Sequence, residues 1–528
     1  MPAYYLEALT VTLGIVLLML EAFGPAHTKR HIGIIAAFGL GFLFILNLFA
    51  IGPDKAADGA KWAEWPLWNF YAYDATARFY KGFALVCTAL VILLSIDYRS
   101  ILARFTDHPD SEAATGEYYA LPVFACAGMM WMASAKDLAG AFVALELVTI
   151  TFYILVAYLR RNAGSLEAGV KYLILGALST GFLVYGIAWI YGATGTMNLE
   201  QIGSSLVDTA QLAPVEGAMG TPASIASVAP ETREFLTDTA NAAAGQNIPA
   251  LLLGIGLVLV ALGFKIGAVP MQVWIPDVYQ GAPTPTTAFL SVGSKAAGFV
   301  LLIRFLEPFL QPGSPVAAQV MIMLAIMAGA TLLVGNLAAI GQSNFKRLLA
   351  YSSIAHAGFL TLALASWGEA SATDPGSTAT VGFYLATYLI MTLAAFFILA
   401  QVRIQSGSEE IDAFNGLGQR SPLLAHTLTI VMAAMAGVPL TVGFWGKFFV
   451  FSLAVHQGLW WCVAAATIGA AAGFYYYFKL IRAIWWADAA EGAGPLNLPA
   501  ISRVVVSTLG IAVLVFGVFP KPLLWLLG

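Results

Sequence analysis

Residues 263–285 read GFKIGAVPMQVWIPDVYQGAPTP, and this stretch decides how the chain is read. It continues an apolar run, Ile248 to Pro276, that exceeds the roughly 20 residues a helix needs to cross a bilayer. Lys265 stands inside that run, and Val269-Pro270 and Trp274-Ile275-Pro276-Asp277 interrupt it. A charge at membrane depth is costly and marks a pathway residue with a partner. A helix broken beside it needs protein or water to satisfy the freed backbone groups. A deep lysine next to a mid-membrane break points to ion movement through the protein interior.

Composition agrees. Of 528 residues 59% are hydrophobic and only 10% charged, with a mean hydropathy of +0.81. Soluble domains carry about 25% charged residues, so this is not one. The net charge of -4 says little about partners and gives no sign of nucleic-acid binding. Cys87, Cys126 and Cys462 lie in apolar spans without a C-x-x-C, and the six histidines are scattered. The cysteines read as small packing residues, and no metal or haem spacing appears.

Fourteen apolar runs read as helices: 3–23, 31–51, 76–96, 118–135, 137–159, 168–191, 248–276, 285–307, 316–340, 346–367, 378–402, 422–452, 459–486 and 502–526. The fold class is an all-α polytopic membrane protein. The first run has no basic flank and contains Glu7 and Glu21, so it reads as a retained helix. Lys29-Arg30, Arg99, Arg104, Arg160-Arg161, Lys346-Arg347, Arg403, Arg420, Lys479 and Arg482 fall on one set of loops. The positive-inside rule makes that set cytoplasmic and places both termini outside. The acidic connection 192–247 is then an external loop, with a mobile middle from Ala213 to Pro230.

A weak internal symmetry is visible. Lys136 opens the fifth span with Glu146 ten residues on, and Lys346 opens the tenth with His356 ten residues on. An overlong helix broken by Val-Pro follows each, at Val269-Pro270 and Val438-Pro439. Interrupted segments at corresponding places in two halves mark a transporter's working site.

Four ionisable residues sit too deep to reach water. Glu146 lies about 13 Å past Asp137, and Lys295 about 15 Å past Pro285 among small residues. Lys447 stands eight residues past Pro439, in the second broken helix, and Lys265 stands in the first. A protonated, hydrogen-bonded Glu146 and a snorkelling Lys265 are the bland alternatives. Lys171 reads equally as interfacial or functional. His356 is about 15 Å deep, where a structural histidine competes with a proton relay. Asp277 reads as a helix cap or as lining for the cytoplasmic mouth, with capping favoured. Arg304 and Lys136 read as anchors at span ends.

The run from Gly263 through GAPTPTTAFLSVGSKAAGF, with NFKRLLAYSSIAHAGF and GVPLTVGFWGKFFVF, closely resembles the antiporter-like membrane subunits of respiratory complex I. The resemblance extends over spans four to thirteen. It implies fourteen helices with two inverted five-helix repeats, each holding a discontinuous helix broken near Pro270 or Pro439. The chain would divide into 1–117 (helices one to three), 118–307 (first repeat), 308–486 (second repeat) and 487–528 (last helix). It also implies a midplane line of charges, the family's helix-five glutamate at Glu146 and its lysines at Lys265, Lys295 and Lys447, with a further lysine at Lys171. Sister chains usually hold histidine at the position of Lys295, and one holds glutamate at that of Lys447. Where the family often has an aromatic-His pair, this chain has Met271-Gln272.

The resemblance implies a proton-translocating subunit of an NADH:quinone oxidoreductase, coupled to quinone reduction elsewhere. NADH, FMN, iron–sulfur clusters and quinone would belong to other subunits, with other membrane subunits and the bilayer as partners and the bacterial inner membrane as location. A cation/proton antiporter subunit, or the homologous subunit of a hydrogenase-type complex, is the alternative. A structural scaffold would not need four deep ionisable residues.

Overall fold

The computed structural model describes residues 1–25, 29, 31–55, 60–105, 115–212, 230–368, 375–489 and 494–527, with no side chains described from 207 to 247. Among the described residues the chain is helical, with isolated bridges instead of strands. The long helices are α1 (Tyr5–Phe23), α2 (Ile32–Phe49), α3 (Ala75–Asp97), α4 (Gly116–Ser134), α5 (Leu138–Val156) and α6 (Ala163–Thr194). Next come α7 (Pro230–Ile266), α8 (Ile275–Gly281), α9 (Thr284–Leu306), α10 (Ala317–Ala339), α11 (Phe345–Ala365) and α12 (Ser377–Ser406). The last are α13 (Pro422–Ala436), α14 (Val442–His456), α15 (Trp460–Trp486) and α16 (Ala500–Val518). Eleven helical segments among the described residues are long and apolar enough to span a membrane. The chain is a polytopic membrane protein.

One helix orients the rest. At the C-terminal end of α9, Arg304 pairs with Asp74, the N-cap of α3, while at its other end Thr284 donates to the Tyr98 hydroxyl just past α3. The twenty residues between Thr284 and Arg304 rise about 30 Å, the thickness of a bilayer core. The molecule therefore has two polar ends. One gathers the bridges Pro2–Ile51, Tyr71–Ala135 and Asp137–Asn198, and the other the bridge Asn344–Glu410.

Between the ends the interior is apolar and closely packed. The central stretch of α9 is wholly buried, and those of α11 and α12 are 94% buried, against 28% for α1 and 33% for α2. Ionisable residues on α9 and α11 consequently face protein. Glycines let α10 and α11 approach closely: a Cβ on Gly335 would lie 2.5 Å from the Ala355 backbone nitrogen.

Both expected interruptions are present. α7 ends at Ile266, Gly267 turns the chain with φ 80°, and after Pro270 one helical turn, Met271–Trp274, leads into α8. α13 ends at Gly437 with φ 95°, and α14 begins at Val442. Leu440, inside that second break, holds φ 70° without being glycine, a conformation that costs of order 1 kcal/mol. The helix that precedes the first break comes from the Tyr71 end and the one that precedes the second from the Asn344 end, so the two breaks run in opposite directions.

The connection 192–247 differs from the expected loop. Helix α6 continues to Thr194, Leu199–Leu212 is helical, and α7 already starts at Pro230. Leu199, Ile202 and Leu206 are buried, so apolar spacing holds this segment on the protein. The middle, 213–229, lies outside the described residues.

Candidate functional site

Two of the deep residues, Lys265 and Lys447, stand at the breaks. Lys265, 4% exposed at the end of α7, donates to the Thr149 hydroxyl of α5 at 3.1 Å and lies 5.6 Å from the Phe152 ring centre. Glu146, one turn before Thr149, accepts from Thr180 of α6 at 2.7 Å. It lies within electrostatic reach of Lys265 without a direct ion pair. Glu146 is half-buried, at the edge of the molecule instead of its centre, because Val143, Leu147 and Ile150 of the same helix face outward.

Lys295 occupies the middle of the bundle. It is eleven residues past Thr284 and nine before Arg304, about 16 and 14 Å from the two ends. A π-helical stretch, Leu290–Ser294, precedes it, the kind of distortion often found at functional sites. Its ammonium donates to the Ser353 carbonyl of α11 and lies 5.7 Å from the Tyr388 ring centre. The Ser353 hydroxyl shares a hydrogen bond with Tyr279 at 3.2 Å, and Ser291 one with Tyr388 at 2.7 Å.

His356, one turn along α11 from Ser353, centres a second hydrogen-bonded group. Its Nδ1 bonds the Tyr384 hydroxyl at 2.7 Å and its Nε2 the Tyr477 hydroxyl at 3.3 Å. Tyr477 in turn bonds Ser352. Both Lys295 and Lys447 lie within electrostatic reach of His356. Lys447, 9% exposed, folds back across the second break and donates to the carbonyls of Met435 and Ala436, each at 2.9 Å. These are orphan carbonyls at the C-terminus of α13, where the helix dipole favours a cation by up to about 2 kcal/mol. Glu146 is thus within electrostatic reach of Lys265, and both Lys295 and Lys447 within reach of His356.

Lys171 and Asp277 lie apart, at the Asn344 end. Lys171 pairs with Asp277 and Glu167, each at 2.8 Å, and Asp277 also pairs with Arg347 at 2.8 Å. Asp277 is thus an ion-pair centre and not a helix cap: the turn that leads into α8 leaves its start without a side-chain cap bond. A cavity of about 340 Å³, lined by Lys171, Asp277, Gln280, Arg403 and Glu409, opens beside it.

Several participants escaped the sequence reading. Lys346, taken as a loop residue, is 1% exposed and donates to the Ala282 carbonyl and, at 3.3 Å, to Glu409, which Arg403 also pairs with. Arg304 is a buried partner of Asp74, not an anchor, while Lys136 pairs with Glu200 at 2.7 Å. Tyr279, Tyr384, Tyr388 and Tyr477 supply the hydroxyls of the network. Glu7 of α1 and Lys81 of α3 form an ion pair at 2.6 Å in the interior. The only sequence signal for it was two unlike charges in separate apolar runs.

The family described as "NADH:quinone oxidoreductase/Mrp antiporter, TM" matches residues 135–473. The chain belongs to this family. Among its relatives, the NADH-quinone oxidoreductase subunit N of Heliobacterium modesticaldum is 36% identical over 524 residues, 98% of this chain and 96% of that protein. A chain of respiratory complex I from Thermus thermophilus superposes with a TM-score of 0.72 at 30% identity, covering 98% of each. A chain of the Mrp complex from Dietzia sp. DQ12-45-1b gives 0.77 at 18% identity, which speaks to fold alone. The matched residues of this NADH:quinone oxidoreductase/Mrp antiporter chain include both breaks, Glu146 and all three deep lysines.

Proposed function

We propose that this chain is subunit N of a proton-pumping NADH:quinone oxidoreductase and passes protons across the bilayer along Glu146, Lys265, Lys295, His356 and Lys447. One observation carries the reading: three buried lysines, each held by a hydroxyl or carbonyl at a helix break or distortion, with tyrosine hydroxyls and an imidazole in the region of Lys295 and Lys447. Such groups pass protons by exchanging donor and acceptor roles, and lysine and histidine both hold and release a proton. The basic loops make the Asn344 end cytoplasmic, so the cavity beside Lys171 and Asp277 is the inner mouth and both termini lie outside a bacterial inner membrane.

Fourteen crossings follow when α4, α15 and the broken pair α13–α14 are added to the eleven long spans. The opposed breaks then sit in two inverted repeats, 118–307 and 308–486, flanked by 1–117 and 487–528. The outward apolar face of α5 beside Glu146 suits a neighbouring membrane subunit. NADH, FMN, iron–sulfur clusters and quinone belong to partner subunits, since the proton series here carries no energy input of its own. The Mrp-like fold also suits a cation/proton antiporter subunit; the lysines at 295 and 447 and the subunit N relatives favour the oxidoreductase. Purification from native membranes is the test. The chain is expected to bring down NADH- and quinone-binding subunits in stoichiometric amount, and recovery of a lone, fully active transporter contradicts the proposal.

A further inference from the structure

The pair Glu7–Lys81 lies outside the series described so far, and its surroundings are those of a working site. Lys81 is fully buried, Glu7 is 5% exposed, and the two are 2.6 Å apart. The Tyr71 hydroxyl accepts from the Lys81 ammonium and donates to both Glu7 oxygens, at 3.0 and 3.2 Å. Apolar side chains of similar volume stabilise a protein interior as well as a buried ion pair does. Packing alone therefore gives no reason for this triad.

Tyr71, itself 1% exposed, borders a cavity of about 360 Å³ at the external end, together with Asp74, Lys136, Glu200, Arg304 and Glu307. That volume accommodates roughly ten waters at about 30 Å³ each. The backbone around Tyr71 is clamped, with the Ala72 amide donating to Ser134 at 2.7 Å and the Lys136 amide to Phe70 at 3.2 Å. Tyr71 thus joins the buried pair, through its hydroxyl, to the wall of the cavity.

The triad also adjoins the central series. Helix α3 packs directly on the π-helical stretch and on the half of α9 that begins at Lys295. Lys81 is seven residues from Asp74 and Lys295 nine from Arg304, so they lie about 10 and 14 Å below the same end. The groups facing Lys81 are Glu7, Tyr71, the Tyr73 ring at 5.2 Å, and, within electrostatic reach, Asp74 and Arg304.

We propose that Lys81, Glu7 and Tyr71 form a second proton station, which exchanges protons with external water through the cavity beside Tyr71. The proposal rests on the proton-conducting reading above. In the release step an N–H bond of the Lys81 ammonium breaks as its proton passes to the Tyr71 oxygen. The phenol's own proton, donated to Glu7 at rest, turns away from the carboxylate and passes to a cavity water that reaches the hydroxyl. The products are a neutral amine, an intact phenol and a hydronium ion, with no electrons transferred. Glu7 is the positioning residue that holds the ammonium and orients the phenol.

Lys81→Arg is the discriminating variant, because arginine keeps the ion pair with Glu7 but does not give up its proton. Tyr71→Phe keeps the ring and removes the relay oxygen. Each is introduced into the intact complex, and acidification driven by NADH is measured in membrane vesicles beside Lys265→Met. Proton release through this chain is expected to fall by about a hundredfold, the low end for a positioned proton-transfer group, in all three. Normal pumping in Lys81→Arg and Tyr71→Phe with loss in Lys265→Met overturns the second station and leaves the central series standing. Normal pumping in all three overturns both. If Lys81→Arg fails to assemble, Tyr71→Phe decides alone.

Discussion

Lys447→Met removes the one cation that closes the second helix break. In the native chain the ammonium donates to the carbonyls of Met435 and Ala436, each at 2.9 Å. Leaving those two acceptors without a donor costs about 1–3 kcal/mol each. The variant no longer has to desolvate a charge, which costs several kcal/mol, so the two effects largely cancel and the complex should assemble. Proton transfer is a different matter. A positioned titratable group contributes about 10²–10⁴ in rate, or about 3–5 kcal/mol of barrier. Lys447→Arg separates charge from exchange: it keeps a cation on the carbonyls but does not release its proton. Among the described residues the partners of Lys447 are carbonyls and not a carboxylate, so it holds no fixed counter-ion that a permanent charge would serve. Both variants should assemble and both should lose acidification in inverted vesicles, with NADH oxidation followed alongside. Parental pumping in Lys447→Arg would show that the charge alone matters and refute the exchange argument.

Glu146→Gln keeps the volume and the bond from Thr180 but removes the charge within reach of Lys265; pumping should drop while assembly is retained, as read by the same vesicle assay and a native gel. At the external end, burial works to raise the Asp74 carboxyl, but the Arg304 guanidinium outweighs it and holds Asp74 below its ordinary value. A depressed carboxyl stabilises the fold above its unfolded pKa of about 3.9 and loses that contribution as pH falls through the lower folded value. Thermal unfolding of the purified complex should therefore show Asp74→Asn less stable than the parent near neutrality, the gap closing below about pH 4. A gap that persists unchanged into acid would show that the pair with Arg304 is not its source.

What the sequence made legible follows from depth. Lys265, Lys295 and Lys447 lie too far from any span end to reach water, so apolar context alone marked them. The Val-Pro breaks were visible because proline removes a backbone donor in a helix that has no water to replace it. Residues near span ends were not legible, because a helix end permits both snorkelling and burial. Lys81, Lys346 and Arg304 took the second course through partners distant in sequence: Glu7, Glu409 and Asp74. Asp277 read as a cap because its partners, Lys171 and Arg347, are 106 and 70 residues away in sequence. Tyrosines in apolar runs carry no sign of their partners, and only folding shows that Tyr384 and Tyr477 flank one imidazole. Glu146 looked central because depth along a helix says nothing of which way its face turns.

The proton series is tested most directly at its midpoint. Lys295 lies between the two breaks, wholly inside the bundle, where a change cannot be repaired by solvent. The decisive measurement is the number of protons moved per NADH oxidised by vesicles carrying Lys295→Met in the assembled complex. The account predicts a complex of normal composition that moves fewer protons and oxidises NADH more slowly. An unchanged ratio at an unchanged rate would contradict it.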